Sequence, residues 1–582
     1  MKIKKLPDDL VKKIAAGEVV ERPSSVVKEL VENSIDAEAA RIAVQLGEPI
    51  YSEIGVSDDG VGMTREDALL SLERYSTSKL SGEPDLLSIS TLGFRGEALP
   101  SIAQVSRLAL VTRSAESLAG TVVRCVAGRV EEVSECGRAQ GTTVGVRDLF
   151  FNTPVRRKFL RSRTTELRQV IRVVTSYALA FENIHFVLKE GDRELLNLPP
   201  APALFDRVVA LYGLQTAEQL EPLETERGGV RVRGFAGGPE LSRASGEHQL
   251  FWVNRRWVGA PALTFAVRDA YSGILPRDRY PMCLVMLEVA PDAVDVNVHP
   301  TKREVKFAEE GLVRSVITAA VRDTLARRSR AALSGVVGAA RAEYQVKPEE
   351  SVVIADSAAE YDSRAPQLSL LGRDGTVGGG AAPVSAGVGG EEGAAMVPLW
   401  QLHRTYILAQ IKGGLVIVDQ HAAHERVLYE EARRVLAGGH GASQQLLFPL
   451  AVGLTADEFE TLLDMEAQLR KLGFDMKASG KDSIVVKGIP AGLRTWREGQ
   501  LLRDILDGVT KESAETVSAD ERLARSFACH AAVKAGDALT LQEMNHLVDK
   551  LFSTSMPQGD PHGRLTFLRV SLEELERRLG RS

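Results

Sequence analysis

One segment limits what the whole chain can fold into. Residues 331–395 hold 14 Ala and 11 Gly in 65 positions, with the run Gly378-Gly379-Gly380. Such a composition cannot bury enough apolar surface to offset the entropy of ordering it, so it reads as a flexible linker. The chain therefore divides into two arms rather than one continuous core. Charge follows the same division. The linker carries 4 basic and 9 acidic residues, the first arm 45 and 44, and the second arm 23 and 25. Five of the six net negative charges thus sit in the linker, and the overall acidity says little about partners. At 44% hydrophobic and 26% charged residues the arms have ordinary globular composition, enough for three to four domains. No run of 18 apolar residues occurs, so no membrane span is expected, and the N-terminal MKIKKLPDDLVKK lacks the apolar core of a signal peptide. Four scattered cysteines, Cys125, Cys136, Cys283 and Cys529, do not make a disulfide framework. A cytoplasmic protein is expected.

Helix starts stand at Pro7 and Pro23, the second helix running to about Ala37. Strand alternation follows near 41–46 and 54–56, and helices should alternate with strands to about residue 200. A second segment, about 205–330, has strands near 230–235 and 284–289 and a closing helix near 312–328. The second arm has a strand at 415–419 and helices at 421–436 and 456–472. A strand at 483–487, helices at 522–536 and 541–551, and a strand at 565–570 complete it.

No P-loop lysine motif is present, and no G-x-G-x-x-G follows a strand. Four segments of the first arm nevertheless suit one nucleotide site. Glu29 and Asn33 are four apart on a helix and share a face, a carboxylate for water activation beside an amide ligand for Mg²⁺. Asp58-Asp59-Gly60-Val61-Gly62-Met63 ends a strand. There Asp58 can accept from an exocyclic amine, and Gly60 and Gly62 let the backbone approach a flat ring. Gly93-Phe94-Arg95-Gly96-Glu97-Ala98-Leu99 places glycines before a helix, where backbone N–H groups can meet phosphate oxygens. The fourth segment is Gly141-Thr142-Thr143-Val144, an unmarked small-residue strand entry. Each alone is an ordinary turn or solvated face; their order and spacing change that.

The series ELVENSIDA, DDGVGM, TSK, GFRGEAL, GTTVGVRDLFFNTPVRRKFL closely resembles the N-terminal ATPase of the MutL family of mismatch-repair proteins. That family shares the Bergerat (GHKL) fold with type II topoisomerases and histidine kinases. A second match is Asp295-Val296-Asn297-Val298-His299-Pro300-Thr301-Lys302-Arg303-Glu304-Val305. The resemblance implies an α/β (α+β sandwich) architecture in four parts. These are a Bergerat ATPase at 1–203, a ribosomal-S5-like transducer at 204–330, the linker at 331–395, and a C-terminal α/β dimerisation and endonuclease domain at 396–582. It assigns Glu29 as general base, Asn33 to Mg²⁺, Asp58 to adenine with Thr143 beside it, and residues 93–99 to a phosphate lid. Lys79 falls in the adjoining loop, and Lys302 reaches the γ-phosphate of ATP. It also implies a homodimer whose N-terminal arms close on ATP, working with the mismatch-recognition protein MutS.

Residues 147–172 contain eight basic and two acidic side chains, including Arg156, Arg157, Lys158, Arg161, Arg163, Arg168 and Arg172. Such a strip fits sequence-independent contact with DNA phosphates, extended by Arg255, Arg256 and Arg268. Phe150, Phe151 and Phe159 read as core anchors. Seven of the ten histidines lie in the last 187 residues. There His421 and Glu425 are four apart, so both can face one ion. Asp419-Gln420-His421-Ala422-Ala423-His424-Glu425 with Glu430 fits the pattern of MutL proteins that carry a nuclease. The resemblance extends to Gln542–Asn545, Ala528-Cys529-His530 and Asp560-Pro561-His562-Gly563-Arg564. It implies that Asp419, His421, Glu425, Cys529, Asp560 and His562 hold Zn²⁺ or Mn²⁺. Two positions depart from the family. Asp560 replaces a usual Cys, which leans the site toward Mn²⁺, and His530 replaces a usual Lys or Arg, either as a compensating ligand or as a packed residue. Gln444-Gln445-Leu446-Leu447-Phe448-Pro449 fits the peptide with which bacterial proteins dock on the replication sliding clamp. The expectation is an ATP-gated, DNA-nicking repair dimer. The alternative is a matchmaker without nuclease activity that activates a separate endonuclease.

Overall fold

The computed structural model describes residues 17, 19–79, 91–93, 96–276, 279–295, 305–343, 399–480, 482–493, 496–511 and 518–579, with backbone alone for 329–343. The expected helix at Pro7, the lid residues Phe94 and Arg95, Lys302 and the glycine run at 378–380 lie outside these residues.

The first arm is built on an eight-stranded sheet. Its strands are β1 (Arg41–Leu46), β2 (Glu53–Asp58), β3 (Arg107–Arg113), β4 (Gly120–Val126), β5 (Arg129–Cys136), β6 (Gly141–Arg147), β7 (His185–Glu190) and β8 (Arg193–Leu198). Their order is β5-β4-β3-β6-β2-β1-β7-β8. All neighbours are antiparallel except β1 with β7. In β1, Ile42, Val44 and Leu46 point into the core at the two-residue period of a half-buried strand. Helix α1 (Pro23–Asp36) starts with Pro at its first turn, where the missing N–H costs nothing. It buries Val26, Val27, Leu30 and Val31. Helix α2 (Ala98–Gln104) follows the glycine loop. Helix α3 (Arg163–Ala180), capped by Ser162 accepting from Thr165 N–H, packs against α1 through Val170, Val174 and Tyr177. The expected alternation of helix and strand fails between 107 and 147, where four strands follow one another. Short turns join the antiparallel neighbours β3, β4 and β5, and residues 137–140 carry the chain from β5 to β6 on the far side of β3, so no crossover helix is needed.

The second segment is a five-stranded sheet in the order β12-β11-β13-β10-β9. Its strands are β9 (Leu220–Arg227), β10 (Val230–Gly237), β11 (Gln249–Val253), β12 (Arg256–Val258) and β13 (Cys283–Glu288). Helices α4 (Pro261–Ala270) and α5 (Glu310–Glu343) pack on it, α5 through Val313, Val316, Ile317, Ala320 and Val321. The ribbon β14 (Val294–Asp295) with β15 (Lys306–Phe307) precedes α5. Helix α5 runs past the expected end near Arg328 and into the segment read as linker, because alanine is the best intrinsic helix former.

The second arm carries a sheet of β16 (Leu399–Leu402), β17 (Tyr406–Ile411), β18 (Gly414–Asp419) and β22 (Phe567–Ser571). A further sheet joins β19 (Ser443–Gly453), β21 (Ser483–Pro490) and β20 (Asp475–Ala478). Its helices are α6 (Gln420–Leu436), α7 (Ala456–Lys471), α8 (Gln500–Lys511), α9 (Ala519–Ala531) and α10 (Leu541–Phe552). Helix α9 stops short of the expected Gly536. Ala532 is extended and Gly536 has φ +98°, outside the helical region.

Residues 1–329 and 399–582 form one compact unit. Within it, α7 lies on α3. An ionic seam joins Arg193 to Glu460, Arg243 to Glu458 at 3.7 Å and Arg279 to Asp504 at 2.9 Å. Ligand atoms of His248, Glu458 and Asp507 also converge there, within 4.8 Å of one another. Burial lowers the His248 imidazole and pushes the Asp507 carboxyl up, and Arg243 pairs with Glu458 beside them.

Candidate nucleotide site and metal centre

Helix α1 presents an acidic row that its own length cannot neutralise. Glu29 and Glu32 are buried, and Lys28 lies 3.1 Å from Glu29 and 2.9 Å from Glu32. Burial alone would lower the Lys28 ammonium, but the two carboxylates outweigh it and its pKa is raised. Tyr177 of α3 donates to Glu32 from below, and burial followed by Glu32 pushes its phenol up. One turn on, the Asn33 amide oxygen accepts from Lys79 Nζ at 3.0 Å. Lys79 also pairs with Asp36 at 2.5 Å. Asp36 then accepts from the backbone N–H groups of Leu92 and Gly93, both at 2.9 Å. A Cβ on Gly93 would sit 3.0 Å from Lys79 Nζ, so a side chain there would press on this cluster.

Asp58 closes β2. One carboxylate oxygen accepts from Ser34 at 2.8 Å, the other from the N–H groups of Gly60 and Thr142 at 3.1 Å each. Burial raises its pKa against the pull of those donors. Gly62 has φ +69°, and a Cβ there would lie 2.0 Å from the Arg113 carbonyl, so only glycine fits. The register corrects one expectation. Thr142, not Thr143, stands opposite Asp58, and Thr143 instead bonds Ser57 at 2.8 Å. Directly opposed residues of antiparallel strands share a face, which puts Thr143 on the other side of the sheet. Two neighbours of the site were missed. Asp36 lies on the helical face of Glu29 and Asn33, a signal the periodicity carried. Arg256 of β12 donates to the Thr91 and Leu92 carbonyls, the latter at 3.0 Å. It is buried and does not extend the DNA surface as expected.

The basic strip is only partly free of partners. Arg147 pairs with Glu53 at 2.9 Å and Arg163 with Glu190 at 2.5 Å. Arg168 and Arg172 both approach Glu247, at 3.8 and 3.5 Å. Arg157 and Lys158 lie exposed on the short helix Pro154–Lys158, which buries no residue. Phe150 is a core anchor, but Phe159 is 78% exposed, because that helix has no core to cover it.

In the second arm, Asp419 caps α6, accepting from His421 N–H at 2.9 Å and Ala422 N–H at 3.0 Å. Among the described residues, Glu425, Cys529 and His562 bring ligand atoms within 4.8 Å of one another. Glu425 is fully buried, with His562 Nε2 3.0 Å from one oxygen and Arg564 2.5 Å from the other. His421 Nε2 stands 3.7 Å from Glu425, while its Nδ1 meets the Val533 carbonyl at 2.8 Å. Hydrogen bonding to Cys529, then to Glu425, pushes the His562 imidazole up to about 10. A metal ion binding there must displace that proton.

Asp560 is not in this group. Its carboxylate accepts from the N–H groups of His562 and Arg564 at 2.9 and 2.8 Å and pairs with the Arg564 side chain at 2.5 Å. It organises the turn, so the hard-ligand argument for Mn²⁺ loses its basis. The remaining sulfur, nitrogen and oxygen donors fit a Zn²⁺-type site. His530 is a packed residue. Its Nδ1 meets the Ser526 carbonyl at 2.7 Å, and burial lowers its pKa. Glu430 is engaged by the Ser555 N–H at 2.9 and 3.0 Å, and Glu543 belongs to a capping box with Thr540. In the peptide Gln444–Pro449, Leu447 and Phe448 are 89% and 78% exposed, where the β19–β21 pairing is interrupted between Gln445 and Leu450.

Three family models match this chain. They are a histidine kinase-, DNA gyrase B- and HSP90-like ATPase at 21–133, the C-terminal domain of DNA mismatch repair proteins at 208–326, and the MutL C-terminal dimerisation domain at 399–539. DNA mismatch repair protein MutL of Chlorobium phaeobacteroides is 37% identical, covering 100% of both chains. The proteins of the same name from Symbiobacterium thermophilum and Geobacter sulfurreducens are each 38% identical, covering 100% and 99% of both chains.

Proposed function

Because the chain belongs to the MutL family of DNA mismatch repair proteins, with that family's ATPase and dimerisation domains, we propose that it is an ATP-gated homodimeric clamp. In this reading it links mismatch recognition to strand incision through its own metal-dependent nicking endonuclease. The acidic row of α1 supports the nucleotide half. Glu29, held by Lys28, takes the proton of the attacking water. Asn33 offers the Mg²⁺ ligand, and Asp58, anchored by three donors, accepts from the adenine amine. Mg²⁺, when bound, neutralises phosphate charge. Lys302 is the proposed γ-phosphate contact. Glu29→Ala is expected to retain ATP and to lose roughly 100-fold or more in phosphate release. Normal turnover in that variant removes Glu29 as the base.

The convergence of Glu425, Cys529 and His562 carries the nuclease half. These residues, with His421 beside them, would hold the ion, which when bound supplies Lewis acidity and activates water. Supercoiled plasmid with Mn²⁺ or Zn²⁺ tests it. The unaltered chain should nick, and Glu425→Gln should nick at least roughly tenfold less. Asp419→Asn separates the cap from the charge, since Asn caps as well as Asp. One observation favours the second reading, a matchmaker without nuclease. Arg564 already neutralises Glu425 and Asp560, as an ion would. No nicking by the unaltered chain, or equal nicking by Glu425→Gln, selects it. Exposed Leu447 and Phe448 support docking on a sliding clamp, and Arg157 and Lys158 support contact with DNA. MutS is the proposed mismatch-recognising partner.

A further inference from the structure

Arg256 lies in the second segment, far along the chain from the nucleotide motifs, yet its guanidinium ends inside the site. It is almost wholly buried and donates to two successive carbonyls, those of Thr91 and Leu92. The next groups of the same strip of backbone, the N–H groups of Leu92 and Gly93, are bound by Asp36 of α1. The base of the glycine loop is therefore gripped on both polar edges, by a carboxylate from the first segment and a guanidinium from the second. We propose that Arg256 is a positioning residue for the triphosphate, holding residues 91–93 in register with α1 and balancing the acidic row there.

Two physical arguments support this. A buried guanidinium that donates to two carbonyls restrains backbone more tightly than an ammonium, because its planar fork is preorganised. Arg256 also lies in the field of Glu32, Asp36 and Glu29. Burial lowers its pKa against their pull, but arginine stays charged across the accessible range. Lys28 and Lys79 already pair with these same acids. Removing Arg256 leaves one negative charge more in a buried site. That excess repels a triphosphate more than a diphosphate. The residue should therefore set the ratio of ATP to ADP affinity, a property that a purely structural arginine would not move.

The inference rests on the nucleotide reading of this site, and the test separates the two. Full-length chain is titrated with a non-hydrolysable ATP analogue and with ADP, both with Mg²⁺. If the unaltered chain binds neither, the nucleotide reading itself fails and this inference with it. Given binding, Arg256→Met should lose tenfold or more for the analogue and less than threefold for ADP. Arg256→Lys, which keeps the charge and shortens the grip, should lose several-fold for the analogue with ADP unchanged. The lysine variant carries the test if the methionine variant does not fold. Equal losses for both nucleotides, or analogue affinity within twofold of the unaltered chain in the lysine variant, overturn the inference.

Discussion

Single carboxylates of this chain differ in role according to what surrounds them, not according to type. Asp560 is buried and Asp58 half-buried, and both accept from backbone N–H groups. Asp560 also pairs with Arg564, which consumes it. Asp58 is instead bound by hydroxyl and amide donors. Asp58→Ala strips the partner from Ser34, Gly60 and Thr142 at once. A buried donor left unsatisfied costs about 1–3 kcal/mol. The variant is expected to melt several degrees lower and to lose adenine nucleotides altogether, checked by thermal unfolding and by nucleotide titration. A variant that binds ATP normally would remove Asp58 from the site. The choice between Thr142 and Thr143 turns on strand register, which neighbouring threonines in a sequence do not reveal.

Elements show which parts of the charge pattern are available. The basic strip spans two helices, and they behave differently. Helix α3 buries one face on α1, and its arginines reach carboxylates, whereas the helix Pro154–Lys158 buries nothing. The double variant Arg157→Glu, Lys158→Glu is therefore expected to weaken DNA binding most. Each lost phosphate contact should lower the slope of log affinity against log salt by about 1. Filter binding over a salt series measures it, and an unchanged slope sinks this surface. The strands and helices of periodic segments such as β1, α6 and α7 were legible, because one buried face imposes a period of two or of 3.6 residues. Helix α8 was not read, since Gln500–Lys511 mixes Asp504 and Asp507 into a segment whose burial depends on distant partners. Burial of those acids follows from Arg243 and Arg279, far away in the chain.

At the scale of the molecule, the expected picture was two arms on a tether. To that picture the described residues add a contact between the arms, the seam of Arg193, Arg243 and Arg279 against Glu460, Glu458 and Asp504. A half-buried ion pair between two folded bodies is worth more than an exposed one, and breaking one partner leaves the other charge uncompensated. Asp504→Arg is expected to separate the bodies, and Arg279→Asp added to it should restore their contact. Small-angle scattering of the full chain reads this as a rise in radius of gyration in the single variant, followed by its reversal in the double variant. No change in the single variant would overturn the seam.

Motif order and spacing were enough to point to the family, and helical periodicity to the shared face of Glu29 and Asn33, because both are local properties of one helix face or one glycine turn. What lay beyond them was settled by contacts between distant segments. Arg256 enters the site only because a second sheet stands beside the first, and Arg564 and Asp560 close on one another only when the 560–564 turn meets α6. The physical reason is the same throughout. Periodicity records which face is buried, whereas the partner of a buried charge is chosen by packing.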